Sequence, residues 1–362
     1  MKTILVASDS FKGTLSSKDI INIVNDTVKQ YFPHDFIVKS ALIADRGEGT
    51  IDAFSSFKDG EVIYVNTYDA ENNLIEAPLF ISKDGYALIE VASVIGLPNI
   101  KNTINPLDRT TKGIGVLIKK AISLGINKIY IALGGTSTND LGIGMLQELG
   151  ISFNNGDIYT MSNIEEIKSI DTSNYLLKDK DIEFILLVDI TNPLLSNNGA
   201  TYTFGKQKGY GPYLDLLEDK MTKLTKIFEK ETNKKLNNIP SLGAAGGLAG
   251  ALYAFSNATI VSGIEEILKL SNFDQKIKDV DYIITGEGSF DNQSLNGKAI
   301  SGIIEHVNKD KLIIICGQNK LKDSEYTIYE TSNNKSNFED IKKYAKENYQ
   351  KELIKVLNNI KD

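Results

Sequence analysis

Acidic residues follow the apolar segments of this 362-residue chain at several points along its length. Each segment is a short run of Val, Ile and Leu that ends abruptly in Gly, Ser, Asp or Asn, as in ILVASDS and YIITGEGSFD. The carboxylates at these ends are Asp9, Asp140, Asp189, Glu287 and Asp291. Carboxylates beside glycine-rich turns are typical of sites that bind a metal ion together with a phosphorylated ligand. The pattern therefore predicts an enzyme.

The apolar runs predict the strands that position these carboxylates. Runs of Val, Ile and Leu are typical of parallel strands that are buried on both faces of a sheet. In open α/β sheets, ligands bind at the carboxyl ends of such strands, so we expect the acidic residues to line a crevice. The predicted fold class is α/β: a doubly wound, mostly parallel, Rossmann-like sheet with an inserted second α/β domain.

No linker divides the chain, so we expect the second domain to be an insertion. Residues 1–90 and 258–362 are predicted to form the discontinuous Rossmann-like domain, and residues 91–257 the second α/β domain, with the active site in the cleft between them. Within the first segment, EVIYVNTYD, LIEAPLFIS and YALIEVAS alternate in polarity and are separated by the turn sequences AENN and KDG. This pattern predicts an antiparallel meander rather than further βα units.

Composition argues against several classes of protein. A formal net charge of −7 with no sustained basic tract argues against a nucleic-acid or anionic-membrane partner. The single Cys316 rules out an intrachain disulfide, and neither a membrane-spanning run nor a signal-peptide pattern is found, so we expect a cytoplasmic protein. His34 and His306 are the only histidines, which leaves the chemistry to carboxylates and lysines. Assembly into a homo-oligomer stays open.

Two glycine-rich loops are candidates for phosphate binding, although the P-loop and GxGxxG fingerprints are absent from the sequence. GGTSTND (134–140) lies between an apolar run and a predicted helix, where backbone N–H groups can cradle an anion. Asp140 would then cap the helix or reach a metal. TGEGSFDNQSLNGK (285–298) repeats the arrangement, and its Lys298 would either neutralise a phosphate or lie in solvent.

Two further loops follow predicted strands. DSFKG supplies Asp9, Ser10 and Lys12 at the edge of the sheet, or these residues only shape a turn. ADRGEGT supplies Asp45 and Glu48, which could hold Mg²⁺ directly or through water. The same two residues also fit the N-cap and third position of a helix.

Three segments later in the chain complete the set. VDITNP places Asp189 at the end of a strand, where a carboxylate can accept a hydroxyl proton during phosphoryl transfer. FGKQKG supplies Lys206 and Lys208. These lysines could bind a carboxylate or a phosphate, or they could be exposed to solvent without a binding role. The Gly/Ala-rich segment 243–255 is expected to pack closely against another backbone or a nucleotide.

In their order and amino-acid sequence these segments resemble the bacterial, ATP-dependent glycerate kinase family. The matching segments are DSFKGTLSS, ADRGEGT, TTKGIG, GGTSTNDLGIGM, DITNPLLSNNGA, FGKQKG, GAAGGLAGAL and ITGEGSFDNQSLNGK. The resemblance implies a two-domain α/β enzyme that uses Mg²⁺ and transfers the γ-phosphoryl group of ATP to D-glycerate, usually giving 2-phosphoglycerate. A kinase of another small hydroxy acid, or a non-catalytic nucleotide- or metabolite-binding protein on the same scaffold, stays open as an alternative.

Each candidate residue receives an expected role. The catalytic candidates are Asp189 as the base, Asp45 as the second choice for it, and Lys12. The candidates for binding the nucleotide and its phosphates are Ser10, Gly134, Gly135, Thr136, Asn139, Gly286, Gly288 and Lys298. The candidates for binding the substrate are Asn192, Lys208 and Asp291. The candidates for the metal are Glu48, Asp140 and Glu287.

The chain departs from the usual family pattern at four positions. Arg46 and Leu141 replace glycines, Ser289 replaces an arginine and Lys206 replaces a proline. An arginine is thus gained in one loop and lost in another. Our hypothesis is that Arg46 replaces the missing guanidinium group, and unchanged kinetics of an Arg46→Gly variant would refute it.

Overall fold

The computed structural model of the chain describes residues 1–361, apart from residues 12, 44–48, 155, 293, 296–298, 322–324 and 333–337. The chain divides into two compact units. Unit 1 contains residues 1–45, 52–57 and 264–362, and unit 2 contains residues 46–51 and 58–263. Residues 58–90 therefore belong to unit 2 and not, as predicted, to the first domain, because their strands join the sheet of the segment that follows them.

Strands and helices alternate along most of the chain. The strands are β1 (Lys2–Val6), β2 (Phe36–Ser40), β3 (Gly60–Tyr68), β4 (Leu74–Ser82), β5 (Tyr86–Glu90), β6 (Lys128–Ala132), β7 (Ser152–Phe153), β8 (Ile170–Asp171), β9 (Glu183–Leu187), β10 (Asn257–Val261), β11 (Tyr282–Thr285), β12 (Ser289–Phe290), β13 (Leu312–Cys316), β14 (Gln318–Asn319) and β15 (Thr327–Glu330). The α-helices are α1 (Ser17–Tyr31), α2 (Thr50–Phe57), α3 (Ala92–Ile95), α4 (Lys112–Ser123), α5 (Ile143–Glu148), α6 (Ala200–Phe204), α7 (Leu214–Thr232), α8 (Leu248–Phe255), α9 (Gly263–Leu270), α10 (Phe273–Lys276), α11 (Ala299–His306) and α12 (Phe338–Ile360).

Unit 1 is built on a five-stranded sheet in the order β15-β13-β11-β1-β2, in which every neighbouring pair is parallel. The chain starts at β1, moves outward to β2, and then returns to β11 on the other side of β1. The direction of winding therefore reverses between β1 and β11. In doubly wound sheets this reversal opens a crevice at the carboxyl ends of the two strands, which is where ligands bind.

The apolar run of β1 forms the centre of the unit 1 core. Ile4 and Val6 are completely buried, as expected for a strand that is covered on both faces. Helix α1 begins with a capping box in which Ser16 and Asp19 satisfy each other's backbone N–H groups. Helices α1 and α12 pack in the same hydrophobic cluster, to which α12 contributes the buried ring of Tyr349.

Unit 2 is built on a six-stranded sheet in the order β10-β9-β6-β5-β4-β3. Strands β3, β4 and β5 pair antiparallel, which confirms the predicted meander, and β5, β6, β9 and β10 pair parallel. The mixed α/β class with mostly parallel sheets is therefore confirmed. The loops that follow β6 and β9 both leave the same edge of the sheet, because these strands are parallel neighbours.

One predicted helix starts later than its sequence pattern suggested. The prediction placed a helix over 139–149, whereas α5 begins at Ile143. Leu141 and Gly142 adopt φ angles of 48° and 68°, which no right-handed helix can contain. Among the helices that the structure describes, none is both long and apolar enough to cross a membrane.

Candidate active site

A cavity of about 410 Å³ lies at the carboxyl ends of the strands of unit 1. Asp9 and Ser10, which follow β1, line it together with Glu287 and Gly288, which follow β11. Asp291 also belongs to the lining. The structure thus brings five residues from two separate sequence motifs together at the reversal point of the sheet.

Backbone contacts explain why the strand ends of β1, β11 and β13 lie so close together. The N–H group of Asp9 and the hydroxyl group of Ser8 both donate to the carbonyl oxygen of Gly286, each over 3.0 Å. A Cβ atom added to Gly286 would lie 1.8 Å from the carbonyl oxygen of Ile315. Glycine is therefore required for packing at this position. The predicted phosphate contact of Gly286 stays a prediction.

Charge is distributed unevenly around the cavity. Its described lining contains three carboxylates, of Asp9, Glu287 and Asp291, and one ammonium group, of Lys320. Carboxylates of this kind are suitable ligands for a divalent cation that also binds phosphate oxygens.

A buried lysine marks a second cluster, which lies in unit 2. Lys208 is 5% exposed, and its Nζ donates to Oγ1 of Thr136 (3.0 Å) and to the carbonyl oxygen of Thr138 (2.8 Å). Burial lowers the pKa of Lys208 to about 7, the negative charge of Asp140 opposes this change, and the positive charge of Arg109 adds to it. Lys208 therefore exchanges a proton near neutral pH.

Asp140 lies in the same cluster and is completely buried. Its Oδ2 accepts hydrogen bonds from the N–H group (2.9 Å) and the hydroxyl group (2.8 Å) of Thr111, and its Oδ1 accepts one from the N–H group of Gly142 (3.1 Å). Burial raises the pKa of this carboxyl group. The N-cap position of α5 belongs to Gly142, so the predicted roles of Asp140 as a cap or as a metal ligand both stay predictions.

Arg109 completes the cluster, and the sequence motifs did not point to it. Its side chain is 1% exposed, and Nη1 donates to the carbonyl oxygens of Lys208 (2.5 Å) and Ser137 (3.5 Å). Nη2 donates to Oδ1 of Asn102 over 2.9 Å. Arg109 thereby ties the loop after β6 to the loop that carries Lys208. The sequence offered only its position beside the matched segment TTKGIG, which says nothing about burial.

The first part of the β6 loop contains the remaining nucleotide candidates of this segment. Gly134 and Gly135 form the turn that leaves β6, and Gly135 adopts a φ of 66°, which favours glycine. Asn139 donates from Nδ2 to Oγ1 of Thr201 over 3.2 Å. Within the described part of the chain, neither Oδ1 of Asn139 nor Oγ1 of Thr138 has a hydrogen-bond partner, although both atoms are buried. Both atoms can therefore bind a ligand that reaches the loop.

The Gly/Ala-rich segment packs against this loop, which confirms the expectation of a close backbone contact. A Cβ atom added to Gly246 would lie 2.1 Å from the carbonyl oxygen of Thr138. The N–H group of Leu141 donates to the carbonyl oxygen of Gly246 over 3.1 Å. Leu141 itself adopts a left-handed φ of 48°, a conformation that favours glycine.

Asp189 follows β9 and is half-buried. Its Oδ1 accepts hydrogen bonds from the hydroxyl group of Ser262 (2.9 Å) and the N–H group of Gly263 (2.6 Å), which orient the carboxylate. Asn192, further along the loop, donates from Nδ2 to the carbonyl oxygen of Asn198 over 2.7 Å. Asp189 is therefore a fixed carboxylate at a strand end, as predicted.

Four predicted site residues lie outside the described residues: Lys12, Asp45, Glu48 and Lys298. Arg46, whose hypothetical role depends on its contacts, lies outside them as well. Among the described residues, no group of three or more His, Cys, Asp or Glu side chains has the arrangement of a metal site.

Comparisons with known proteins confirm the family resemblance. The sequence pattern of the glycerate kinase family matches residues 4–361. A glycerate kinase of Neisseria meningitidis is 36% identical over 323 residues, which cover 87% of this chain and 85% of the relative. A glycerate 2-kinase of Escherichia coli is 33% identical over 319 residues, which cover 84% of this chain and 82% of the relative.

A solved structure supports the same assignment. The crystal structure of a putative glycerate kinase 2 from Salmonella typhimurium LT2 matches with a TM-score of 0.82 and 30% sequence identity, covering 99% of this chain and 98% of that chain. The chain is therefore a kinase, and it belongs to the glycerate kinase family.

Proposed function

We propose that this protein transfers the γ-phosphoryl group of ATP to the 2-hydroxyl group of D-glycerate, giving 2-phosphoglycerate and ADP. The chain belongs to the glycerate kinase family, and the proposal rests on a difference in charge between two of its sites. Unit 1 has an acidic cavity at the reversal point of its sheet, and unit 2 has a buried cluster with two cationic side chains. The first suits a nucleotide that carries a cation, and the second suits an organic acid.

The acidic cavity fits Mg²⁺ bound to the phosphates of ATP. Mg²⁺ prefers one or two carboxylates together with phosphate oxygens, and Glu287 is the predicted carboxylate that would hold it. Asp291 was predicted as a substrate contact, but it lines the same cavity and would be the second carboxylate. When bound, the ion neutralises charge on the β- and γ-phosphates. Ser10 and Gly288 line the same cavity, which supports their assignment to the nucleotide.

The cationic cluster fits the carboxylate of glycerate. The hydrogen bonds of Lys208 and Arg109 found in the structure all go to neutral oxygen atoms, so the two buried charges lack a directly bound anion in the described part of the chain. Buried cations are costly unless an anion compensates them, and a substrate carboxylate would do so. Thr138 and Asn139 offer polar atoms to the hydroxyl groups of the same substrate.

Asp189 acts as the catalytic base in this proposal. It accepts the proton of the 2-hydroxyl group while the oxygen forms its bond to the γ-phosphorus and the bond from that phosphorus to ADP breaks. Ser262 and Gly263 keep the carboxylate in one orientation. Asp45 as an alternative base and Lys12 as a phosphate contact stay predictions.

The product of the reaction tests the proposal directly. Purified protein is incubated with ATP, Mg²⁺ and D-glycerate, and ³¹P NMR separates the 2- and 3-phosphate esters. A 2-phosphoglycerate signal supports the proposal, whereas a 3-phosphate signal keeps the kinase and overturns the choice of hydroxyl group. Transfer only to another hydroxy acid would change the substrate. Nucleotide binding without transfer to any acid would favour a non-catalytic protein.

Replacing the base tests the assigned role of Asp189. An Asp189→Asn variant keeps the shape and the Ser262 contact but cannot accept a proton, so we expect kcat to fall by about 10²- to 10⁴-fold. The Kd for ADP with Mg²⁺ should stay unchanged. A Ser262→Ala variant serves as the control, because it loosens the carboxylate without removing it and should cost far less. A kcat of Asp189→Asn within about twofold of the wild-type value would exclude this residue as the base.

The cellular setting of the protein is also a proposal. A cytoplasmic location and assembly into a homo-oligomer stay predictions. Size-exclusion chromatography with light scattering would give the number of chains in the particle.

A further inference from the structure

The cavity of unit 1 extends beyond its acidic residues to an apolar region. Asp9 and Glu287 lie at the reversal point, between β1 and β11. The lining also includes Gln318 and Thr331, which follow β13 and β15. Residues of α12 complete it. The cavity therefore combines acidic residues with an apolar wall that the phosphates and the cation do not require.

Helix α12 supplies one wall of this second end. Ile341, Ala345 and Asn348 line the cavity, and their spacing of four and three residues places them on one face of the helix. Tyr349 is completely buried and packs edge to face against Phe11, with ring centroids 5.7 Å apart. Phe11 lines the cavity as well. The aromatic contact thus fixes the helix wall against the loop that follows β1.

We propose that the apolar end of this cavity binds the nucleoside half of the nucleotide, and this proposal rests on the proposed function for the identity of ATP. The base lies against Phe11, Ile341 and Ala345, and the side-chain amide of Asn348 hydrogen-bonds its polar edge. The phosphates with their cation lie toward Glu287. A flat, largely apolar group with a few polar atoms on its rim is the ligand that a mostly apolar pocket with a convergent amide accepts.

The proposal separates the two halves of the nucleotide within this cavity. A nucleoside carries no phosphate and needs no cation, so we expect adenosine to bind without Mg²⁺ against the apolar wall. Tripolyphosphate lacks the base, so we expect it to bind with Mg²⁺ at the end near Glu287.

Calorimetric titration of one variant and its matched control tests the proposal. Ala345→Phe adds bulk to the cavity wall, so the Kd values for adenosine and for ADP with Mg²⁺ should rise by about tenfold or more. The Kd for tripolyphosphate with Mg²⁺ should not change. Lys343→Phe adds the same side chain to an exposed position on the opposite face of the same helix and should leave all three Kd values unchanged.

A second variant keeps the test valid if Ala345→Phe fails to fold, as judged by circular dichroism. Asn348→Ala removes the amide with little change in volume, and adenosine should then bind several-fold more weakly. Wild-type adenosine affinity in both folded variants would overturn the proposal, even if glycerate is phosphorylated normally. Weakened adenosine binding in a protein that phosphorylates no hydroxy acid would support this proposal and refute the proposed function.

Discussion

The buried ammonium group of Lys208 should make the stability of the protein depend on pH in a defined window. Burial holds the pKa of this group at about 7 in the folded chain, whereas an unfolded lysine titrates near ~10.4. Between these two values the unfolded chain binds more protons, so the free energy of unfolding rises with pH. One group contributes a slope of about 1.4 kcal/mol per pH unit, or about 4 to 5 kcal/mol over the whole window.

A Lys208→Met variant removes this titration and fills a similar volume. Its loss of the hydrogen bonds to Thr136 and Thr138 adds an offset that does not depend on pH, of about 1 to 3 kcal/mol. The difference in unfolding free energy between variant and wild type should therefore change by about 1.4 kcal/mol per pH unit above pH 7, in favour of the wild type.

Urea unfolding of both proteins at pH 7, 8 and 9, followed by circular dichroism, measures this difference. Titrating groups that do not interact with Lys208 are shared by the two proteins, and their contributions cancel. Lys206→Met is the matched control, because it makes the same substitution at an exposed lysine two residues away and should leave the slope unchanged. If the pH profiles of the wild type and Lys208→Met run parallel, the ammonium group is not desolvated and the reasoning is refuted.

Arg109 provides a second perturbation of the same titration. Its positive charge is one of the causes that lower the pKa of Lys208. Arg109→Met should therefore raise this pKa and shift the start of the sloping window to higher pH, whereas Arg109→Lys keeps the charge and should shift it less. A purely structural role of Arg109 would lower stability equally at every pH and leave the window in place.

Two further predictions concern unit 1. Burial alone would lower the pKa of His306, but hydrogen bonds to Asp274 (2.5 Å) and Glu265 (3.2 Å) raise it above its ordinary value. The stabilisation is therefore present at low pH and is lost as pH rises through the raised pKa. His306→Gln should lower the free energy of unfolding by a few tenths to about 1 kcal/mol at pH 5.5 and by less at pH 8.5, and an equal loss at both pH values would contradict this. Gly286→Ala should destabilise the protein by about 1 to 3 kcal/mol in thermal unfolding, since its Cβ would lie 1.8 Å from a carbonyl oxygen, whereas Gly211→Ala meets no atom within 4 Å and should change little.

Much of the architecture could be predicted from local patterns. The apolar runs identified the central strands, because a strand that is covered on both faces needs an uninterrupted apolar sequence. The alternating segments after residue 60 identified the meander for the same kind of reason. The pattern was less informative at Leu141, since a left-handed leucine delays the start of α5 and no propensity predicts it.

The chemistry of the candidate site was predicted only in part. The residue types at the strand ends pointed to carboxylates, glycines and lysines, and the structure places Asp9, Glu287 and Asp291 in one cavity. The surroundings of Lys208 could not be predicted, because FGKQKG reads equally well as a solvated loop. Its burial depends on Thr136 and Thr138, which lie about seventy residues earlier in the chain.

By itself, therefore, the sequence determined the family, the class of fold and the types of residue at the strand ends, since each of these depends on short segments of the chain. The tertiary structure decided which strands are neighbours, and hence that the chain reverses its winding between β1 and β11. It also decided that the buried carboxylate of Asp140 accepts hydrogen bonds from Thr111 and that Arg109 is buried against the Lys208 loop. Burial and charge depend on contacts between segments that are distant in the chain, and such contacts exist only once the chain has folded.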